Sequence, residues 1–126
     1  MATTDIFGQG HLESTTRSTN ATLATTDSGV IQNCTASVVL TLPASAAGNA
    51  GVTFPIRVGE EGITVEIAPN SADKIVGAGL TAADDKSIYF TNQPAGSMVI
   101  LASNAAATTD SAWVIQAVRG TDTRES

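Results

Sequence analysis

Carboxylates are the most frequent chemistry-bearing side chains in this sequence, and their spacing is poor for catalysis. Glu60 and Glu61 are neighbours in the Gly-flanked stretch "GEEG". Side chains of adjacent residues diverge, so the two do not form a general acid/base pair. Asp84 and Asp85, with Asp73 upstream, make a second acidic group. Calcium takes about six to eight oxygens from a loop, and "ADDKS" supplies two adjacent carboxylates without an Asp-x-Asp ladder; a solvated turn is expected. His11 is the only histidine and lies in a polar N-terminal stretch, so no serine or cysteine has a fixed base and triad chemistry is not expected. Cys34 is the only cysteine. It cannot form an intrachain disulfide, has no metal-type spacing around it, and reads as a small packed hydrophobe. "GAGLTAAD" has closely spaced glycines but precedes no helix and lacks the lysine of a phosphate loop. "NAT" at 20–22 and "NCT" at 33–35 fit the glycosylation pattern, and without a secretory signal they read as chance matches. Trp113 is expected to fill the core, the alternative being a platform that stacks a sugar ring. No catalytic, cofactor-binding or metal-ligating residue emerges, and an enzyme is not expected.

Composition points toward binding. The chain has 126 residues, 42% of them hydrophobic, 4% aromatic and 14% charged, against about 25% charged in a typical globular domain. One domain with a substantial core is expected. Its surface is rich in Thr, Ser, Ala, Asn and Gly and is cheap to desolvate against another subunit, which favours oligomerisation. The net charge is −6 with only six Lys and Arg, so nucleic acid and anionic membranes are not expected as partners. The N-terminus has neither a basic nor an apolar signal region, and no run reaches the ~20 apolar residues of a spanning helix. The expected setting is synthesis in a reducing cytoplasm.

Those side chains are carried on elements of period two. Residues 1–20 are polar and aperiodic except for Ile6, Phe7 and Leu12. They read as an extended N-terminal arm that orders against a partner through Ile6, Phe7, His11 and Leu12, against the plainer alternative of a disordered chain end. Residues 21–119 form the β domain, and 120–126 a polar tail. "SVVLTLP" alternates Val38, Leu40 and Leu42 against Val39 and Thr41, and Pro43 ends it. "VTFPIRV" places Val52, Phe54, Ile56 and Val58 on one face, with Pro55 marking an edge strand or bulge. "ITVEIAP" sets Ile63, Val65 and Ile67 inward. "ATLAT", "DSGVIQNC", "KIVG" and "SIYFTN" are shorter strands, whereas "SMVILAS" and "SAWVIQAVRG" are apolar on both faces, as in strands covered on both sides. No segment has helical periodicity. About 8–10 short strands separated by turn residues predict an all-β fold, an antiparallel β-sandwich or barrel of jelly-roll-like form.

The stretch from Ser37 to Gly79 resembles a recurrent β-domain of tailed-phage virion proteins. The motifs that carry it are Thr41-Leu42-Pro43, the small-residue loop Ala44 to Gly51, Phe54, Ile67 with Pro69-Asn70, and Asp73, Ile75 and Gly77. The late "SMVILAS…SAWVIQA" resembles the terminal strand pair of that family, with a tryptophan near the start of the last strand. The likeness covers roughly residues 22–118. It implies no catalytic residues. It implies a homotrimer in a head decoration (cement) protein, head fibre or tail fibre. The expectation is a decoration protein that binds the phage major capsid protein on the outside of the head and stabilises the shell. The alternative is a glycan- or receptor-binding module of a tail fibre or tip, with Trp113 or Tyr89 as the stacking platform.

Overall fold

The computed structural model describes residues 13–46, 49, 51–70, 73–77, 86–104 and 112–124. These residues are mostly strand with almost no helix, so the all-β expectation holds. In chain order the strands are β1 (Ser14–Arg17), β2 (Ala21–Thr22), β3 (Ile31–Cys34), β4 (Val38–Thr41), β5 (Thr53–Val58) and β6 (Thr64–Ala68). They continue as β7 (Lys74–Val76), β8 (Ile88–Thr91), β9 (Met98–Ser103), β10 (Ala112–Arg119) and β11 (Thr123–Arg124). Every stretch with period-two alternation in the sequence contains one of them.

Two mixed sheets result. The six-stranded sheet A runs β1-β3-β5-β9-β10-β7, and the five-stranded sheet B runs β11-β8-β6-β4-β2. The purely antiparallel expectation, and the jelly roll with it, is corrected. Pairs β1–β3, β3–β5, β2–β4, β4–β6 and β7–β10 are all parallel. From β1 to β8 each strand lies in the sheet opposite to the one before it. For the four parallel pairs among β1–β6, the connection, which needs a crossover of about a dozen residues or more, therefore carries a strand of the other sheet, whereas β7 reaches β10 through β8 and β9. Antiparallel pairing enters late, where β8 joins β6 and β9 joins β5.

The inward residues of both sheets belong to one hydrophobic cluster. Phe54, Ile56, Val99, Leu101 and Trp113 come from sheet A, and Leu40, Val65, Ile67, Ile88 and Phe90 from sheet B. Burying each such side chain stabilises the fold by about 1.5–3 kcal/mol. Trp113 fills the core as expected. Its ring lies 5.2 Å from that of Phe54, and its indole Nε1 donates to Pro43 O at 3.1 Å.

Three local expectations are corrected. Pro55 marks neither an edge nor a bulge, because β5 is paired on both sides. Its missing N–H is tolerated because the β3–β5 ladder starts one residue later, at Gln32–Ile56, while Val30 O takes a hydrogen bond from Gln32 Nε2 at 2.9 Å. Ser14–Arg17, read as part of an arm over residues 1–20, is strand β1 of sheet A, and residues 1–12 lie outside the described residues. Arg17 secures that strand: its Nε donates to the buried Gln32 Oε1 at 2.7 Å, and its Nη2 reaches Asp27 Oδ2 at 3.5 Å. The polar tail also contributes, because Thr123–Arg124 pairs with β8. Polar composition hid both strands, whose main contribution is backbone pairing at a sheet edge.

Candidate protein-binding surface

The outward face of sheet A is built in cross-strand rows. One row runs Asn33, Arg57, Met98, Arg119 across four strands, and the next runs Pro55, Ile100, Ala117. A bulge makes the first row possible. Simple alternation from the inward Trp113 would turn Arg119 inward, but the register shifts between Ile115 and Ala117, leaving Gln116 as the extra residue. Such a bulge resets which side chains face out. Arg119 therefore stands beside Met98, with Arg57 on its other flank. With about 4.8 Å between neighbouring strands, the two arginine backbones are roughly 10 Å apart.

A groove of about 430 Å³ lies there, lined by Arg57, Gly96, Met98, Ile100 and the Ala117–Arg119 end of β10. Met98 and Ile100 are half-buried, and Val118 is 39% exposed. The two-faced apolarity of β9 and β10 thus has a covered side and an uncovered one: Val99 and Leu101 lie in the core, while Met98 and Ile100 face out. Arg57 Nε donates to Asn33 Oδ1 at 2.9 Å.

The outward face of sheet B is nearly uncharged. Its rows are Thr22, Thr41, Ala68; Val39, Glu66, Tyr89, Thr123; and Thr64, Thr91. Glu66 is its one charged member and accepts a 2.8 Å hydrogen bond from Ser87 Oγ. A depression of about 390 Å³ at its edge is lined by Asn20, Ala21, Thr22, Val39 and Thr41.

No family model, curated protein or solved structure matches the chain significantly. The surface itself therefore carries the functional reading.

Catalytic geometry is not assembled among the described residues. Ser45, Asp73 and Ser103 form a buried polar group, with the exposed Asn104 at its rim. Ser45 N donates to Asp73 Oδ2 at 2.8 Å, and its hydroxyl lies 2.8 Å from both Ser103 Oγ and Ala112 O. Asn104 Oδ1 in turn accepts from Ala112 N at 3.1 Å. These bonds close the loop after β4 over the ends of β9 and β10. Sequence reasoning missed this latch because Ser45 sits in an otherwise featureless Ala/Gly connector.

The remaining sequence candidates fall into place individually. Ile6, Phe7, His11 and Leu12, named for partner binding, lie outside the described residues, as do Asp84 and Asp85. Glu60 and Glu61 are exposed on their turn. Among the described residues, no group of three or more His, Cys, Asp or Glu side chains is placed to hold a metal ion. Cys34 is buried, and desolvation pushes its thiol up to about 11 against a mild opposing pull from Arg17. Asn20 Oδ1 accepts from Val39 N and Asn33 Oδ1 from Arg57 Nε, so both glycosylation-pattern asparagines are engaged within the fold. Trp113 is fully buried and cannot be a sugar platform; Tyr89 is half-buried on the outward face of sheet B.

Proposed function

We propose that this protein is a capsid decoration (cement) protein, a β-sandwich that associates as a homotrimer on the outside of a phage head and holds neighbouring coat subunits together. It does so without making or breaking a bond. The observation that carries this reading is the low charge of both outward sheet faces, one carboxylate on sheet B and, on sheet A, Arg57, Arg119 and Lys74. Burying a charge costs several kcal/mol per ion, whereas Thr and Ala faces desolvate cheaply. The resemblance of Thr41-Leu42-Pro43 and Asp73, Ile75, Gly77 to phage virion β-domains supports the same setting, on the virion exterior after synthesis in the host cytoplasm. A standard protein contact buries ~1,600 Å², and a trimer repeats its contact three times, so modest affinity per site is multiplied.

The test is to mix the purified protein with undecorated heads and image them. Regular density on the shell, with raised resistance of the heads to heat, is expected; bare heads at micromolar protein overturn the reading. Ile6, Phe7, His11 and Leu12 are the proposed arm contacts. Removing residues 1–12, which spares β1, is expected to leave the fold intact and weaken head binding.

A second reading rests on Tyr89. It faces outward beside the Glu66 carboxylate, a pairing of aromatic ring and acceptor suited to a sugar, as in a tail-fibre module. Selective glycan binding abolished by Tyr89→Ala, with no affinity for heads, would favour it.

A further inference from the structure

The unpaired charges of the described body fall into two groups. On the positive side, Arg17 is paired with Asp27, and Lys74 and Lys86 are each engaged. Arg57 spends one N–H on Asn33, and its terminal amino groups have no acceptor among the described residues. Arg119 is exposed and bonds to no described residue. Both free guanidinium ends thus border the same groove. On the negative side, Asp27, Glu66 and Asp73 accept hydrogen bonds within the fold, and Glu13 and Asp122 are single, half-buried carboxylates, Asp122 with one buried oxygen that accepts no bond from the described residues. Glu60 and Glu61 are both exposed, sit side by side on the turn after β5, and have no partner among the described residues.

We propose that the Arg57–Met98–Arg119 groove of one copy receives the Glu60–Glu61 turn of a second copy. Two adjacent carboxylates answer two guanidiniums that stand roughly 10 Å apart by strand spacing, and guanidinium forks suit carboxylates well. Met98, Ile100 and Ala117 supply the apolar floor that leaves water on contact. Arg57 and Glu60 lie three residues apart in the chain yet form no ion pair within one copy, so both remain available to a neighbour. A second copy fits better than nucleic acid, because two cations on a chain of net charge −6 give phosphate little to hold. Used head-to-tail, as the homotrimer reading requires, the contact generates a closed ring when the rotation closes. The inference rests on the homotrimer reading and assigns its interface.

Four full-length proteins measured by sedimentation velocity at low salt test it: wild type, Arg119→Glu, the double variant Glu60→Arg/Glu61→Arg, and all three changes together. Arg119 and both glutamates have no side-chain bond to lose among the described residues, so circular dichroism and unfolding midpoints should match across the set. Self-association is expected to weaken at least about tenfold when either side is reversed, as for close interfacial charge pairs. It should recover in the combined protein, and wild-type association should fall as salt rises from about 0.05 to about 0.5 M, because the shorter Debye length screens exposed charge pairs. A trimer that persists in every variant overturns this interface and leaves the homotrimer reading standing. A wild type that stays monomeric overturns both. If Arg119→Glu lowers binding to heads while self-association is unchanged, the groove takes a coat segment and the second-copy assignment is wrong.

Discussion

Arg119 stands across Met98 from Arg57, and the bulge at Gln116 takes one residue of β10 out of the alternation that leads there from Trp113. Without that insertion the pleat would already alternate regularly from Trp113 to Arg119. Deleting Gln116 is therefore expected to preserve the pairs Ala117–Ile100 and Arg119–Met98, with a stability change of no more than about 1 kcal/mol. Deleting Val39 from the unbulged β4 turns Leu40 out of the core and is expected to unfold the protein. Urea denaturation of the two deletions distinguishes these outcomes.

The contrast also marks what the sequence could reveal. Alternation located every inward residue correctly in the stretches from Val38 to Leu42, Phe54 to Val58 and Ile88 to Phe90, because side-chain direction depends only on the pleat. It carries no information about whether a neighbour runs parallel, so the exchange between sheets from β1 to β8 was invisible. Pro55 is ambiguous for a similar reason: whether a missing N–H matters depends on whether the ladder reaches it, and the β3–β5 pairing begins only at Ile56. Arg57 was legible as outward. Its pairing with Arg119 was not, since a bulge has no residue signature in "WVIQAVR".

Trp113 combines the largest buried side chain with one hydrogen bond, to Pro43 O. Trp113→Ala is expected to cost about 3–5 kcal/mol. As the single tryptophan, it should emit at short wavelength and resist acrylamide quenching until the chain unfolds. Red-shifted, freely quenched emission from the native protein would contradict its burial.

The latch around Ser45 predicts a structural penalty. Ser45→Ala leaves Ser103 Oγ and Ala112 O without that hydroxyl in a buried site, which is expected to cost about 1–3 kcal/mol. Asp73→Asn should cost less than Asp73→Ala, because an amide oxygen can still accept from Ser45 N. Thermal unfolding of the three variants checks the order, and equal losses for the two Asp73 variants would show that the acceptor is unimportant.

Cys34 gives stability a dependence on alkaline pH with a defined sign. Its ordinary value is 9.0, and burial raises it to about 11 in the folded protein, with Arg17 pulling weakly the other way. Below pH 9 the thiol is protonated in both folded and unfolded chains and contributes no slope. Between pH 9 and about 11 the unfolded chain releases its proton while the folded chain keeps it, so folding stability falls as pH rises. At about 1.4 kcal/mol per unit, the loss is of order 2–3 kcal/mol across that window, levelling above it. Urea titrations from pH 8 to 11 on wild type and Cys34→Ala isolate this contribution, because the variant should lack that part of the decline. The same burial predicts that the native thiol reacts with a disulfide reagent at pH 8 far more slowly than the urea-unfolded thiol. Parallel pH profiles for the two proteins, or immediate labelling of the native thiol, would show that Cys34 is not held away from water.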